Sequence, residues 1–261
     1  MLLILGKTCS GKDTFAKELD KLGYKPVISR TTREKRNKDD NKYIFVSKEQ
    51  AEREKNQSIA YTEIGDNIYY VLEEDLAGKD YYIIDYKGFL KLEENYPNTD
   101  FDIVYLTADE EKRKERFTKR GGTVEQFDKR NIAEKEQFKD FIAITQSRDL
   151  ENHNIRFLTF LDNNFENNFE SFAKEVDNTL TWFENVGIIV DYMIKKGDLS
   201  VNSDGKIRVY YTENNEEKEK YVSKGNFARI LQHDNEGFRY VLDDILGKKN
   251  IFKLLAKIDK Q

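Results

Sequence analysis

Residues 6–13 read Gly6-Lys7-Thr8-Cys9-Ser10-Gly11-Lys12-Asp13, directly after the apolar run Met1-Leu2-Leu3-Ile4-Leu5 and directly before a helical pattern that opens near Thr14. The succession of strand, glycine loop and helix decides how the rest of the chain is read. Two glycines with four residues between them, followed by a lysine, let backbone N–H groups converge on phosphate oxygens. The lysine reaches the β- and γ-phosphates, and the helix N-terminus adds its partial positive charge. Gly6, Gly11 and Lys12 fit this P-loop pattern, with Thr8 and Ser10 among the loop's expected donors to a nucleotide. Asp13 stands where the pattern has a serine or threonine that meets Mg²⁺. A carboxylate still offers an oxygen ligand, directly or through water, but places negative charge beside a polyphosphate; Thr14 is the neighbouring hydroxyl that can replace it. The competing reading is a glycine-rich turn between strand and helix that holds no ligand.

Composition narrows the class. The chain has 261 residues, a formal net charge of −5 and 36% charged residues, which argues against nucleic-acid binding through overall charge and leaves a small anion as the expected partner. Hydrophobic residues make up 38%, and 17 Phe with 15 Tyr shift the core toward aromatic rings. The single cysteine, Cys9, has no intrachain partner, so a reducing compartment is expected. The opening apolar run is too short for a signal-peptide core or a membrane span, and a cytoplasmic chain without membrane contact is the expectation. With only His153 and His233, neither a histidine metal cluster nor a Ser-His-Asp triad is expected.

Past the loop, Phe15, Leu19 and Leu22 recur at helical spacing over Thr14–Leu22, with Gly23 as the stop. Ser29, Arg30, Thr31, Thr32, Arg33 and Arg36 then crowd guanidinium and hydroxyl groups together ahead of an alternating stretch, Lys42 to Val46. Such a cluster grips phosphate through bidentate arginine geometry, and it equally fits a solvated basic turn. Tyr81-Tyr82-Ile83-Ile84-Asp85 is an apolar run ending in a carboxylate, as at the C-terminal end of a buried parallel strand; a helix N-cap is the other reading of Asp85. Further strands are expected over Phe101–Leu106 and Ile155–Leu161. Helices are expected over Ala108–Lys119, from Thr123 with Gln126 completing a capping box, and over about 165–183.

Taken together, Ser29, the T-T-R of Thr31–Arg33, Arg36 and Tyr43-Ile44-Phe45-Val46-Ser47 resemble the acceptor-nucleotide segment of guanylate kinases. The resemblance continues in order through Tyr69-Tyr70, Ile84-Asp85-Tyr86-Lys87-Gly88, and the lid-like Arg116, Lys119-Arg120-Gly121 and Lys129-Arg130, and covers roughly residues 1–175. It implies ATP and Mg²⁺ as donor and metal, with Gly6, Thr8, Ser10, Gly11, Lys12, Asp13, Thr14 and Arg116 around the donor. Ser29, Arg33, Arg36, Tyr43 and Tyr70 would hold the acceptor phosphate. Asp85 would lie near base and metal, giving Asp13 and Asp85 as metal ligands, and Arg120 and Arg130 would act with Lys12 on the transferring group. Arg116 and Arg120 at i,i+4 on one helix face would repel unless an anion neutralised them.

The departures concern the base. The family's guanine-binding glutamate falls on Tyr61, or on Ala60 with one residue inserted; Glu63 reaches that place only across a shorter loop. Val71 and Leu72 stand where the family has glycine and a hydroxyl. Phosphate handling therefore reads as retained and base choice as altered.

The chain divides at residues 185 and 186 into a kinase-like domain over 1–185 and an α+β domain over 186–261. The second part is expected to hold a helix over Val186–Lys195, a strand over Lys206–Tyr211, a charged turn over Asn214–Lys220, and short helices over Asn226–Leu231 and Phe238–Leu246. Arg208, Tyr210, Lys224, Arg229, Arg239 and Tyr240 there make either a face for nucleic acid or protein or the surface of a packed appendage. The expected fold is thus an α/β P-loop NTPase with layers around a parallel sheet, and the expected activity is transfer of the γ-phosphoryl of ATP to a nucleoside monophosphate. A guanylate-kinase-like binding module without catalysis is the rival; Asp13 and the base site speak for it, Lys12 and the lid arginines against it.

Overall fold

A computed structural model describes residues 1–35, 37–38, 40–147, 155–163, 169–197, 199–213 and 216–232. Arg36, His153, His233 and the helix expected over 238–246 lie outside the described residues. The chain forms two compact units, Met1–Lys174 and Glu175–Gln261.

In chain order the first unit contains β1 (Leu2–Leu5), α1 (Lys12–Lys21), β2 (Arg30–Thr31), β3 (Ile44–Phe45), α2 (Lys48–Glu54), β4 (Ala60–Ile64), β5 (Asn67–Val71) and α3 (Glu73–Leu76). It continues with β6 (Tyr81–Ile83), α4 (Tyr86–Asn95), β7 (Phe101–Thr107), α5 (Glu110–Lys119), α6 (Val124–Gln137), α7 (Lys139–Ser147), β8 (Ile155–Asp162) and the start of α8 (Phe169–Lys196). Four strands make an all-parallel sheet in the order β6-β1-β7-β8. Every residue of β1 is buried, because a strand flanked on both sides and covered on both faces has no polar side to present. This is the α/β P-loop NTPase fold, and the phosphate loop leaves the sheet at the C-terminal end of β1, where such sheets bind ligands.

Aromatic rings supply much of the core, as the composition implies. Tyr86, Phe89, Phe101, Tyr105, Phe138 and Phe141 meet at centroid distances of 5.2 to 6.3 Å. A buried carboxylate, Asp102 of β7, is matched by Arg156 of β8 through two hydrogen bonds of 2.8 and 2.6 Å. The capping box at α6 forms as expected, Thr123 accepting from Gln126 N and Gln126 from Thr123 N.

A second sheet, in the order β3-β2-β5-β4, carries the Arg/Thr-rich segment. The alternation over Lys42–Val46 yields a strand of only Ile44–Phe45, parallel to β2. The β4/β5 hairpin turns at Gly65, whose φ is 62°.

Two expectations for the C-terminal part are corrected. The helices read as separate over 165–183 and 186–195 are, from Phe169 onward, one helix, α8, running uninterrupted through Gly187. Val176, Leu180, Phe183, Val186, Val190 and Met193 are buried along it at helical spacing, so a continuous apolar stripe outweighs one glycine. Of the residues read as a charged turn, those from 216 to 220 belong instead to β10 (Glu216–Val222), antiparallel to β9 (Ile207–Glu213). Its alternating charges pair across the hairpin, with Arg208 donating to Glu219 at 2.8 Å. Helix α9 (Lys224–Gln232) follows. No helix among the described residues is long and apolar enough to cross a membrane.

Candidate active site

The phosphate loop is shaped by its neighbours. At Gly6, φ is 145° and an added Cβ would lie 2.4 Å from the carbonyl oxygen of Leu106; at Gly11, φ is 109° and a Cβ would meet Asn163 Nδ2 at 2.4 Å. Only glycine fits either place. Gly11 is the N-cap of α1 and offers no side chain to cap it; its carbonyl accepts from Thr14 N at 2.9 Å and Phe15 N at 3.0 Å, and the positive end of the helix faces the loop.

Lys12 folds back over the loop and donates to the carbonyls of Gly6 at 2.6 Å and Lys7 at 2.9 Å. Burial lowers its pKa to about 8, the nearby charge of Glu134 opposing that shift and Arg130 adding to it. Asp13 is ion-paired with Lys42 at 3.0 Å. Burial, the largest single influence, works against its ionised form, but the bond to Lys42 and the charges of Lys42, Lys12 and Arg120 together hold its pKa below the usual carboxylate range.

Two cavities meet at Lys12. The smaller, of about 130 Å³, joins Thr8, Gly11, Lys12 and Asp13 of the loop region to Arg33, Tyr43, Arg120 and Arg130. The larger, of about 460 Å³, brings Gly6, Lys12 and Arg130 together with Ser29, Tyr43, Glu63 and Asp85. Lys12, Tyr43 and Arg130 line both. Most residues singled out in the sequence therefore converge on one cleft.

Four do not line it. Tyr70 is fully buried and its hydroxyl donates to Glu54 at 2.5 Å; Tyr69, one residue earlier on the opposite face of β5, lines the larger cavity instead. Arg116 lines neither cavity. Its guanidinium donates to the carbonyls of Cys9 at 3.2 Å and Asn163 at 2.9 Å, bracing the loop. Arg120 is the C-cap of α5, one residue past the helix face that carries Arg116, and lines the smaller cavity. Ser10 is 1% exposed with Oγ unpaired, and Thr14 is exposed.

Within the larger cavity, Asp85 caps α4 by accepting from Gly88 N at 2.8 Å through Oδ1, so the capping role read as an alternative is real. Its other oxygen, Oδ2, and Thr62 Oγ1 are buried without hydrogen-bond partners. Burial raises the pKa of Asp85; the Gly88 amide works against it, and the Thr62 and Gln137 side chains lie near enough to lower it too without completing a hydrogen bond to Oδ2. Leu72, expected beside a base, is the N-cap of α3 and does not line the cavity, whereas Tyr61 does. Tyr61 also donates to Glu63 at 2.7 Å.

Three supporting residues carried no sequence signal. Arg113, 3% exposed, donates to Ala108 O at 3.1 Å and Asn131 Oδ1 at 2.7 Å and sits over Phe127. Asn163 donates to Ser10 O at 2.8 Å. Glu134 accepts the Thr8 amide at 2.8 Å. Each lies far along the chain from the loop it serves, where only tertiary structure reveals it.

A profile of the AAA domain family matches residues 2–139, which span the phosphate loop, both sheets' first strands and α6. The chain belongs to the AAA domain family. Among solved structures, this AAA domain protein is similar to a guanylate kinase from Anaplasma phagocytophilum, at 17% identity and a TM-score of 0.45, over 69% of this chain and 84% of that one. No curated protein matches the chain.

For an Mg²⁺–nucleotide, the oxygen donors of this AAA domain suit the ion. Mg²⁺ keeps most of its waters and needs one or two carboxylates besides phosphate oxygens; Asp13 at the loop and the unpaired Oδ2 of Asp85 are such oxygens. Among the described residues no group of three or more His, Cys, Asp or Glu could hold a metal by itself.

Proposed function

We propose that the protein is an ATP-dependent nucleoside monophosphate kinase of the guanylate kinase type, with a base preference moved away from guanine. The observation that carries this reading is the sharing of Lys12, Tyr43 and Arg130 between two cavities, one at the phosphate loop and one large enough for a second nucleotide. In this reading the loop amides and Lys12 hold the donor phosphates, with Asp13 or Asp85 on the metal. Bound Mg²⁺ supplies charge neutralisation across the phosphate oxygens. Ser29, Arg33 and Tyr43 hold the acceptor phosphate, and Arg120 and Arg130 meet charge that spreads over the transferring group. Such chemistry is positioning and electrostatics and needs no covalent intermediate.

The test is phosphoryl transfer from labelled ATP to a panel of ribo- and deoxyribonucleoside monophosphates. Product with one or more acceptors supports the reading. The ion pair of Asp13 with Lys42, together with the pairing of Arg33 with Asp40 at 2.8 Å, favours a second reading as a binding module. That reading gains if no acceptor is phosphorylated while a phosphate-bearing ligand binds the cleft.

A further inference from the structure

Glu134 has no role in the transfer reaction described above, yet it is a carboxylate of 8% exposure where the phosphate loop meets α6. Its Oε2 accepts from Thr8 N at 2.8 Å, and its Oε1 accepts from Arg130 Nε at 3.0 Å. Arg113 Nη1 approaches Oε2 at 3.8 Å and also lies 3.5 Å from the Thr8 carbonyl. A buried carboxylate is tolerated only when paired and hydrogen-bonded, and this one is. Neutralising Arg113 alone would require no contact with the loop backbone or with Arg130. The bond to Arg130 is made side-on, through Nε, so Nη1 and Nη2 have no hydrogen-bond partner among the described residues, and Arg130 lines both cavities. A guanidinium held by Nε keeps its outer fork for an anion.

We propose that Glu134 is a positioning residue for phosphoryl transfer: one oxygen fixes the Thr8 amide of the phosphate loop while the other aims the fork of Arg130 into the cleft. The inference rests on the kinase reading. Glu134 borders the larger cavity, but its two oxygens are engaged by the Thr8 amide and by Arg130; it acts through the loop and through Arg130, tying both to a single side chain of α6. Misaiming a charge-stabilising group by about an ångström costs up to roughly a hundredfold in rate.

The experiment compares Glu134→Gln, Glu134→Asp, Arg130→Met and the double variant Arg130→Met/Glu134→Gln by steady-state kinetics and thermal melting. Glutamine has one acceptor oxygen and cannot serve Thr8 and Arg130 together. Aspartate keeps the charge that balances Arg113 but is one methylene too short to reach both partners. Both Glu134 single variants are expected to lose about 10- to 100-fold in kcat, with the KM for ATP changed less than about threefold. In the Arg130→Met background, Glu134→Gln should have much less effect on kcat, because Arg130 is then no longer there to be aimed. A Glu134→Gln or Glu134→Asp enzyme that melts earlier but turns over normally per folded molecule would assign Glu134 to stability alone and overturn the proposal. Equal losses from Glu134→Gln in both backgrounds would also overturn it. If the wild-type chain transfers phosphate to no acceptor, the kinase reading fails and this inference with it; an active wild type with indifferent variants removes the inference only.

Discussion

The side-chain amide of Asn163, just past β8, donates to the carbonyl of Ser10 at 2.8 Å, linking the last strand of the parallel sheet to the middle of the phosphate loop. Its own carbonyl receives Arg116 at 2.9 Å and its backbone amide donates to Thr107 at 2.8 Å. Asn163→Leu removes the donor and leaves the Ser10 carbonyl buried, at about 1–3 kcal/mol. The expected outcome is a lower melting temperature together with weaker ATP binding. A fluorescent ATP analogue titrated into wild type and variant checks it; unchanged affinity would show that the loop keeps its shape without this bond.

Lys12→Met is expected to lower kcat by at least about a hundredfold, the usual order for losing a group that meets developing phosphate charge. Its ammonium is bonded to loop carbonyls and not to a carboxylate, so the fold should survive. Circular dichroism and a coupled ATP assay on the same preparation separate the two effects. Native turnover in the variant would end the P-loop assignment.

Arg33 and Arg120 are expected to fail differently. Arg33 is set against Tyr43 and Phe45 at 5.2 and 5.4 Å and held by Asp40, a fixed arrangement suited to a ground-state phosphate. Arg33→Met should mainly raise the acceptor KM. Arg120, exposed at the end of α5, should act on the transferring group, and Arg120→Met should mainly lower kcat. Matching defects in both variants would remove this division of labour.

Asp85 gives a pH-dependent prediction. Its folded-state pKa is raised, chiefly by burial, so the folded protein binds that proton more tightly than the unfolded chain does. The associated stability is present in acid and is lost as pH rises through the folded-state value. Asparagine cannot ionise and still caps a helix. Asp85→Asn should therefore melt higher than wild type at neutral pH, with the gain vanishing toward the ordinary carboxylate range near about pH 4, at the expense of activity. Melting curves across that interval decide it; a gain independent of pH would locate the effect in the cap and not in the charge.

GMP is not expected to be the best acceptor. Guanine presents two donor groups that a free carboxylate would satisfy, and Glu63 is already occupied by the Tyr61 hydroxyl. Leu72 lies outside the cavity and contributes nothing to the preference, which now rests on Tyr61, Glu63 and the unpartnered Thr62 Oγ1. Ranking kcat/KM over the monophosphate panel tests this, and GMP or dGMP well above dTMP would refute it.

What the sequence made legible were the elements whose environment is uniform along their length. β1 and β6 are read from unbroken apolar runs, and β7 from one broken only by Asp102, because both faces of a parallel strand are covered; α6 is read from a capping box written in two side chains. β10 was opaque because its seven residues are largely charged and draw their order from β9. Tyr69 and Tyr70 carry the same chemistry at adjacent positions, so only the pleat of β5 decides which one faces the cleft. Arg113, Glu134 and Asn163 are polar residues of the sort that usually decorate a solvated surface, and their burial depends on packing that no local pattern records.

The cleft is assembled from two separate hydrogen-bonded sheets. The phosphate loop springs from the parallel sheet β6-β1-β7-β8, whereas Tyr61, Thr62, Glu63 and Tyr69 belong to β4 and β5 of the other. Strands that share no ladder can exchange side chains without disturbing one another's register. The wall that would choose the base is therefore free to diverge while the loop that grips phosphate stays under constraint, and a lineage could trade one acceptor for another by substitutions confined to a single hairpin.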